Sequence, residues 1–299
     1  MILSEKQLPL RAWRTLALSV AALLVWDVLV TVLYLNDTTH FEAIDIQFTL
    51  FGTVIALFVG FMVNAAYGRW WEARTLWGQV VHSSRSLARQ TLVLLDEDAP
   101  GARSGLPAQV VRHQVAYVHV LRTALRGQPL PVEAGRFLDE GTLTRVDRAV
   151  NKPTTVLLES DRLVTEAHRR GMVGELARLE LEAAFVALTD AQGGLERIRN
   201  TPLPVQYRFL PRFFSRVFCL ILPFAVVADL GWLTPVGSGL VGLMFLLAVQ
   251  IGDQLANPFA DDVYDVPMTA ITRTIEIDLT QMLGEEPPKQ VTPVEQVLY

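Results

Sequence analysis

Residues 51–61 read Phe51-Gly52-Thr53-Val54-Ile55-Ala56-Leu57-Phe58-Val59-Gly60-Phe61, the centre of an uncharged run over residues 46–68, 23 in number. A helix rises 1.5 Å per residue and a bilayer's hydrocarbon core is about 30 Å thick, so a run of this length spans it. The run carries two stripes. Gly52, Ala56, Gly60, Asn64 and Gly68 recur every four residues, a small-xxx-small pattern that lets helices approach closely within or between subunits. One position on lie Thr53, Leu57 and Phe61, nearly stacked along one helix face. That ladder fits either an apolar constriction around an axis or a plain face toward lipid or another helix.

Working outward, residues 15–35 form a second run with one charge, Asp27, and residues 230–251 a third with none. Residues 213–228 are a weaker fourth. Arg216 stands near its start, where it can snorkel, and Pro223 lies inside it, so a shorter or kinked span is expected. Asp27, near the middle of the first span, must face protein or water. It is either a pathway residue or a structural hydrogen-bond partner, for Asn64 or a tyrosine. The first run is too long for a signal-peptide core and no small-residue cleavage pattern follows it.

Lys and Arg are absent from residues 15–68 and 217–272, while Lys6, Arg11, Arg14, Arg69, Arg74, Arg208, Arg212 and Arg273 flank the other ends. The positive-inside rule then predicts both termini and the middle of the chain on the cytoplasmic side of the membrane. The expected fold class is an all-α integral membrane protein, four transmembrane helices per subunit with a helical cytoplasmic domain. Its expected parts are an N-terminal segment and first hairpin (1–68), a cytoplasmic helical domain (69–212), a second hairpin (213–256) and an acidic segment with a cytoplasmic tail (257–299). In the middle section Leu176, Leu179, Ala183 and Val186 recur at helical spacing. Breaks are expected at residues 98–107, at 127–131 and at Gly193-Gly194.

The whole composition agrees. Of 299 residues, 51% are apolar and 19% charged, and the mean hydropathy is +0.31, which together point to membrane and exclude a disordered or collagen-like chain. The lone Cys219 cannot make an internal disulfide. A net charge of −5 gives no footprint for nucleic acid. No phosphate-cradling loop, nucleophile elbow or HExxH occurs, and His40, His82, His113, His119 and His168 never share a helix face at metal-ligand spacing, so no enzyme is expected.

Four local patterns resemble the bestrophin family in its bacterial form. Arg69-Trp70-Trp71-Glu72-Ala73-Arg74 is similar to its Arg-Trp-Trp segment, and Thr201-Pro202-Leu203-Pro204 to its Thr-Pro-Ile-Pro stretch. Asn257-Pro258-Phe259, followed by Asp261, Asp262 and Asp265, resembles its Asn-Pro-Phe-Gly and acids, with Ala260 departing from the glycine. The second-span stripe is the fourth. The resemblance implies a homopentameric channel for small monovalent ions, with one axial pore and a helical vestibule. Thr53, Leu57 and Phe61 fall on its neck positions, Thr53 making that end slightly wetter, and Leu203 on a cytoplasmic aperture. Eukaryotic relatives are calcium-activated chloride channels, and Asp262 and Asp265 match acids of their calcium clasp. Here Val263 and Tyr264 interrupt the acidic run, leaving calcium or a purely structural acidic segment at Asn257, Asp262 and Asp265. No other cofactor is implied. An apolar neck sets no sign for the permeant ion, so anion (chloride) and monovalent-cation selectivity both stand. The alternative is a membrane-anchored scaffold or sensor; a secondary transporter is disfavoured, because the two hairpins show no mutual similarity.

Overall fold

The computed structural model describes residues 10–36, 48–95 and 105–292, with side chains from Leu16 onward. The described residues form ten α-helices: α1 (Leu10–Leu35), α2 (Phe48–Leu94), α3 (Leu106–Arg126), α4 (Ala134–Phe137), α5 (Glu140–Arg148), α6 (Lys152–Arg169), α7 (Glu175–Asn200), α8 (Val205–Leu230), α9 (Thr234–Leu255) and α10 (Met268–Met282). A 3₁₀ turn, Gly231–Leu233, joins α8 to α9. The chain divides into two compact units. One holds residues up to Trp70 together with Pro202–Pro258, the other Trp71–Thr201 together with the segment from Phe259.

In the first unit α1, α8, α9 and the leading half of α2 pack as apolar helices, all of membrane-spanning length. Ile55 and Val59 of α2 meet Phe218 and Leu222 of α8, with Val241, Phe245 and Ala248 of α9 against them. Large side chains interlock on small ones along α9, where Gly239 lies under Leu24, Gly242 under Leu23 and Gly252 under Met62. A Cβ at Gly239 would come within 2.6 Å of Leu24 Cδ2 and one at Gly252 within 2.5 Å of Met62 Cε, closer than non-bonded carbons approach. Lipid tails are as apolar as leucine, so close backbone approach of this kind is what holds such helices together.

The second unit is a helical domain around α3, whose long buried face includes Val110, Tyr117, Val120 and Leu121. It packs on α6, α10 and α7. Caps follow ordinary chemistry: Asp139 Oδ1 accepts from the Thr142 amide at the start of α5, and Asn151 Oδ1 from the Thr154 amide at the start of α6. Gly127, at φ 69°, ends α3 where a break was expected.

Two expectations need correction, and one helix packs by a face that the sequence left unassigned. Gly193-Gly194 does not interrupt α7: the helix runs through it, and Gly194 is needed because a Cβ there would lie 2.8 Å from Leu76 Cδ1. The stripe Leu176, Leu179, Ala183, Val186 is helical but is not the packed face. Leu176 is 81% exposed, and α7 buries Leu181, Ala184, Phe185 and Leu188 instead. Helix α8 begins at Val205, eight residues ahead of its apolar run, with both Pro211 and Pro223 inside it. The four residues 201–204 that separate it from α7 include Pro202 and Pro204, which cannot continue a helix.

Candidate pore-lining site

Helix α2 is 47 residues long, about 70 Å, and crosses the Arg69-Trp70-Trp71 segment without a break. Its leading half has two unlike faces. Ile55, Val59, Met62 and Ala66 are buried in the protomer, at 4% exposure or less. Thr53, Leu57 and Phe61 each lie two residues from one of these, hence about 200° round the helix. They are turned away from the protomer's core, Leu57 being 56% and Phe61 54% exposed. The Thr53 hydroxyl donates to its own helix, to the Thr49 carbonyl at 2.7 Å. Its proton is therefore committed within the helix.

The small-residue stripe separates on inspection. Gly52 faces Phe218, 3.2 Å from where its Cβ would be, whereas Gly60 and Gly68 have nothing within 4 Å of theirs, and Ala56 and Asn64 are exposed. Only its first member packs inside the protomer. Asp27 is fully buried, and its neighbour is Ser238 of α9 rather than Asn64 or a tyrosine. Neither carboxylate oxygen closes a hydrogen bond among the described residues, while Thr31 Oγ1 donates to the Asp27 carbonyl at 2.7 Å. Leu203 is half-buried in the non-helical link before α8.

The acidic segment after α9 folds as a turn held by backbone amides. Asp265, 3% exposed, accepts from the Asp262 amide at 2.8 Å, and Asp262 Oδ1 accepts from the Val263 amide at 2.7 Å. Asp261 takes the left-handed conformation, φ 70°, which a short polar side chain tolerates. Its carboxylate lies 2.6 Å from Arg126 of α3, a side chain only 6% exposed that also donates to Thr269 Oγ1 at 2.9 Å. Burial pushes the Asp265 carboxyl up to about 6, against the pull of its amide bonds and of Arg126. Burial likewise lowers Arg126, countered by Asp261. Asn257 lies two residues past Leu255, the end of α9, after the cap residue Ala256.

Sequence reasoning missed Arg126. It sits far from the acids in the chain, and no local pattern marks it. It also missed a buried pair on the same side of α3, His119 Nε2 to Glu276 Oε2 at 3.0 Å, where His119 stacks on Phe137 and Arg273 approaches Glu276 at 3.1 Å. The α9 glycines had a legible signal, since Ser238 and Gly242 stand four apart, the same small-residue spacing as in α2.

The comparisons bear on most of the chain. A family model described as Bacterial/Fungal Bestrophin protein matches residues 9–281. The voltage-dependent anion channel-forming protein YneE of Salmonella typhi is 35% identical over 246 residues, 82% of this chain and 79% of that protein. The protein of that name in Escherichia coli K12 is 34% identical over 247 residues, again 82% and 79%. The crystal structure of a bacterial bestrophin homologue from Klebsiella pneumoniae superposes with a TM-score of 0.83 at 27% identity, covering 90% of this chain and 98% of that one. An all-helical membrane protein with these relatives is an ion channel, and the chain belongs to the bacterial and fungal bestrophin family.

Proposed function

We propose that the protein is a homopentameric anion channel whose single axial pore is lined by the leading half of α2, with Thr53, Leu57 and Phe61 of each subunit forming an apolar neck. The observation that carries this is the division of α2. Its Ile55, Val59 and Met62 face is consumed inside the protomer, and its opposite face is uncharged, exposed and regular over about two turns. A scaffold with a mere anchor has no use for such a ladder. Copies meeting around an axis along Gly60, where a Cβ would meet nothing within 4 Å, and exposed Ala56 bring those ladders together. Leu203 narrows the conduction path again, both termini face the cytoplasm, and the membrane is the inner one. The choice of anions rests on the relatives' names as anion channel-forming proteins.

The acidic segment, in this reading, is a structural turn that works without calcium. Calcium takes six to eight oxygens. Here two carboxylates are engaged by backbone amides, and a buried guanidinium supplies the compensating charge to the third.

The test is conductance of the purified protein in planar bilayers under a salt gradient. Reversal near the chloride equilibrium potential is expected. Reversal near the cation equilibrium potential overturns the selectivity, and absence of any unitary current from an intact oligomer overturns the channel assignment to this pore.

A further inference from the structure

Helix α8 presents an apolar stripe to the outside of the protomer. Phe209 is 56% exposed, Phe213 47% and Leu220 49%. Arg216 is exposed in the middle of that stripe, since at 100° per residue it lies within about 60° of all three. Two other arginines of this unit are engaged. Arg212, one turn earlier, is paired with Asp253 of α9, and Arg69 donates to the Ala256 carbonyl at 3.2 Å. Among the described residues Arg216 has no such partner, and an arginine cannot shed its charge.

Its depth narrows what can answer that charge. Leu230 ends α8, and exposed Trp232 follows, marking one membrane interface. Arg216 lies fourteen residues back, about 21 Å along the axis, and therefore about 9 Å inside a 30 Å hydrocarbon core from the edge nearest the start of α8. At that depth the guanidinium reaches back toward the headgroups or draws a headgroup down to it.

We propose that Arg216, flanked by Phe209 and Phe213, is a seat for an anionic phospholipid of the leaflet at the N-terminal end of α8. The guanidinium fork takes the phosphate oxygens, for which its geometry is suited. The two phenyl rings, stacked on each other with centroids 5.7 Å apart, lie on the headgroup side of Arg216 and border the glycerol and upper acyl chains. Leu220, on the other side, continues the apolar track along the chains. A zwitterionic lipid carries its own cation next to the phosphate and competes with the guanidinium; an anionic one does not. Free phosphate shares the anion chemistry but has no chain to lie on the stripe. The proposal rests on the membrane placement of α8 and is independent of which ion the pore passes.

The experiment measures the melting temperature of the full-length protein in detergent against added phosphatidylglycerol, phosphatidylcholine or inorganic phosphate, with lipid retention read by native mass spectrometry. Phosphatidylglycerol alone should stabilise the parent, and Arg216→Gln should weaken its apparent affinity about tenfold or more, the effect of losing a charged hydrogen bond. Arg216→Lys, which keeps the charge without the fork, should retain a smaller shift and serves if the glutamine variant does not assemble. The proposal is overturned if Arg216→Gln responds to phosphatidylglycerol as the parent does, if inorganic phosphate reproduces the whole effect, or if the variant loses its oligomer while its lipid response is unchanged.

Discussion

Replacing Arg126 with alanine removes the cation from the acidic turn, and the structure gives the size of the effect. Arg126 is 6% exposed and makes two contacts, the ion pair to Asp261 at 2.6 Å and the hydrogen bond to Thr269 at 2.9 Å. A hydrogen bond from a charged donor contributes about 1.5–3 kcal/mol. The pair to Asp261 contributes less, about 0.5–1 kcal/mol, because that carboxylate is 39% exposed and screened. Buried Asp265 also loses the nearby positive charge that favours its ionised form. The total is about 2–4 kcal/mol, equivalent to a fall in melting temperature of about 3–6 °C for a chain of this size. The assay is thermal unfolding of the purified protein in detergent, with and without millimolar calcium. The parent should show no calcium-dependent shift, since its turn is already compensated, and Asp265→Ala should lower the midpoint equally in both conditions. A melting temperature for Arg126→Ala within about 1 °C of the parent refutes the argument. So does a calcium-dependent rise in the parent that disappears in Asp262→Ala, which would show an ion doing what we assign to the arginine.

Truncating Leu57 and Phe61 together to alanine should raise single-channel conductance by about twofold or more while leaving assembly intact, and an unchanged unitary current places the limiting constriction elsewhere. Gly60→Leu should leave the protomer folded, because the space around Gly60 is open, yet reduce recovery of the oligomer by size exclusion with light scattering. Gly242→Leu, in contact with Leu23, should instead destabilise the protomer itself by about 1–3 kcal/mol, measured by thermal unfolding. Glu159 is held by Arg145 at 2.8 and 3.0 Å and by Arg162 at 2.6 Å, which keeps its carboxyl below the ordinary range. Its contribution is thus present above about pH 4.5 and lost as pH falls through the folded-state value, so Glu159→Gln should weaken the protein at pH 7 and flatten its acid-induced loss of stability.

The spans were legible because the bilayer imposes one requirement on every residue of a run, so composition alone carries the signal. The ladder Thr53, Leu57, Phe61 was legible as a periodicity. Its exposure was not, since one-dimensional spacing does not say which face of α2 the protomer consumes. For the same reason the spacing of Leu176, Leu179, Ala183 and Val186 identified α7 as a helix without saying which face packs: Leu176 and Leu179 are as apolar as Leu181 and Leu188, and only the neighbours distinguish them. Gly193-Gly194 misled because glycine marks both a turn and a close approach, and the Leu76 side chain that decides between them is more than a hundred positions away. Arg126 was invisible on the same ground. Long-range charge pairing leaves no local trace.

The leucines and methionine seated on the α9 glycines also constrain how this sequence can drift. A single base change in a glycine codon reaches only a handful of residues, and alanine is the smallest of them. Even alanine at Gly242 or Gly239 puts a carbon into the space that Leu23 or Leu24 occupies. Neither partner can change first without loss, so these positions are expected to move as pairs, a smaller side chain on α1 preceding or accompanying a larger one on α9. Among related chains the volumes at 23 and 242, and at 62 and 252, should therefore vary inversely, a correlation that a sequence alignment can reveal without any measurement on the protein.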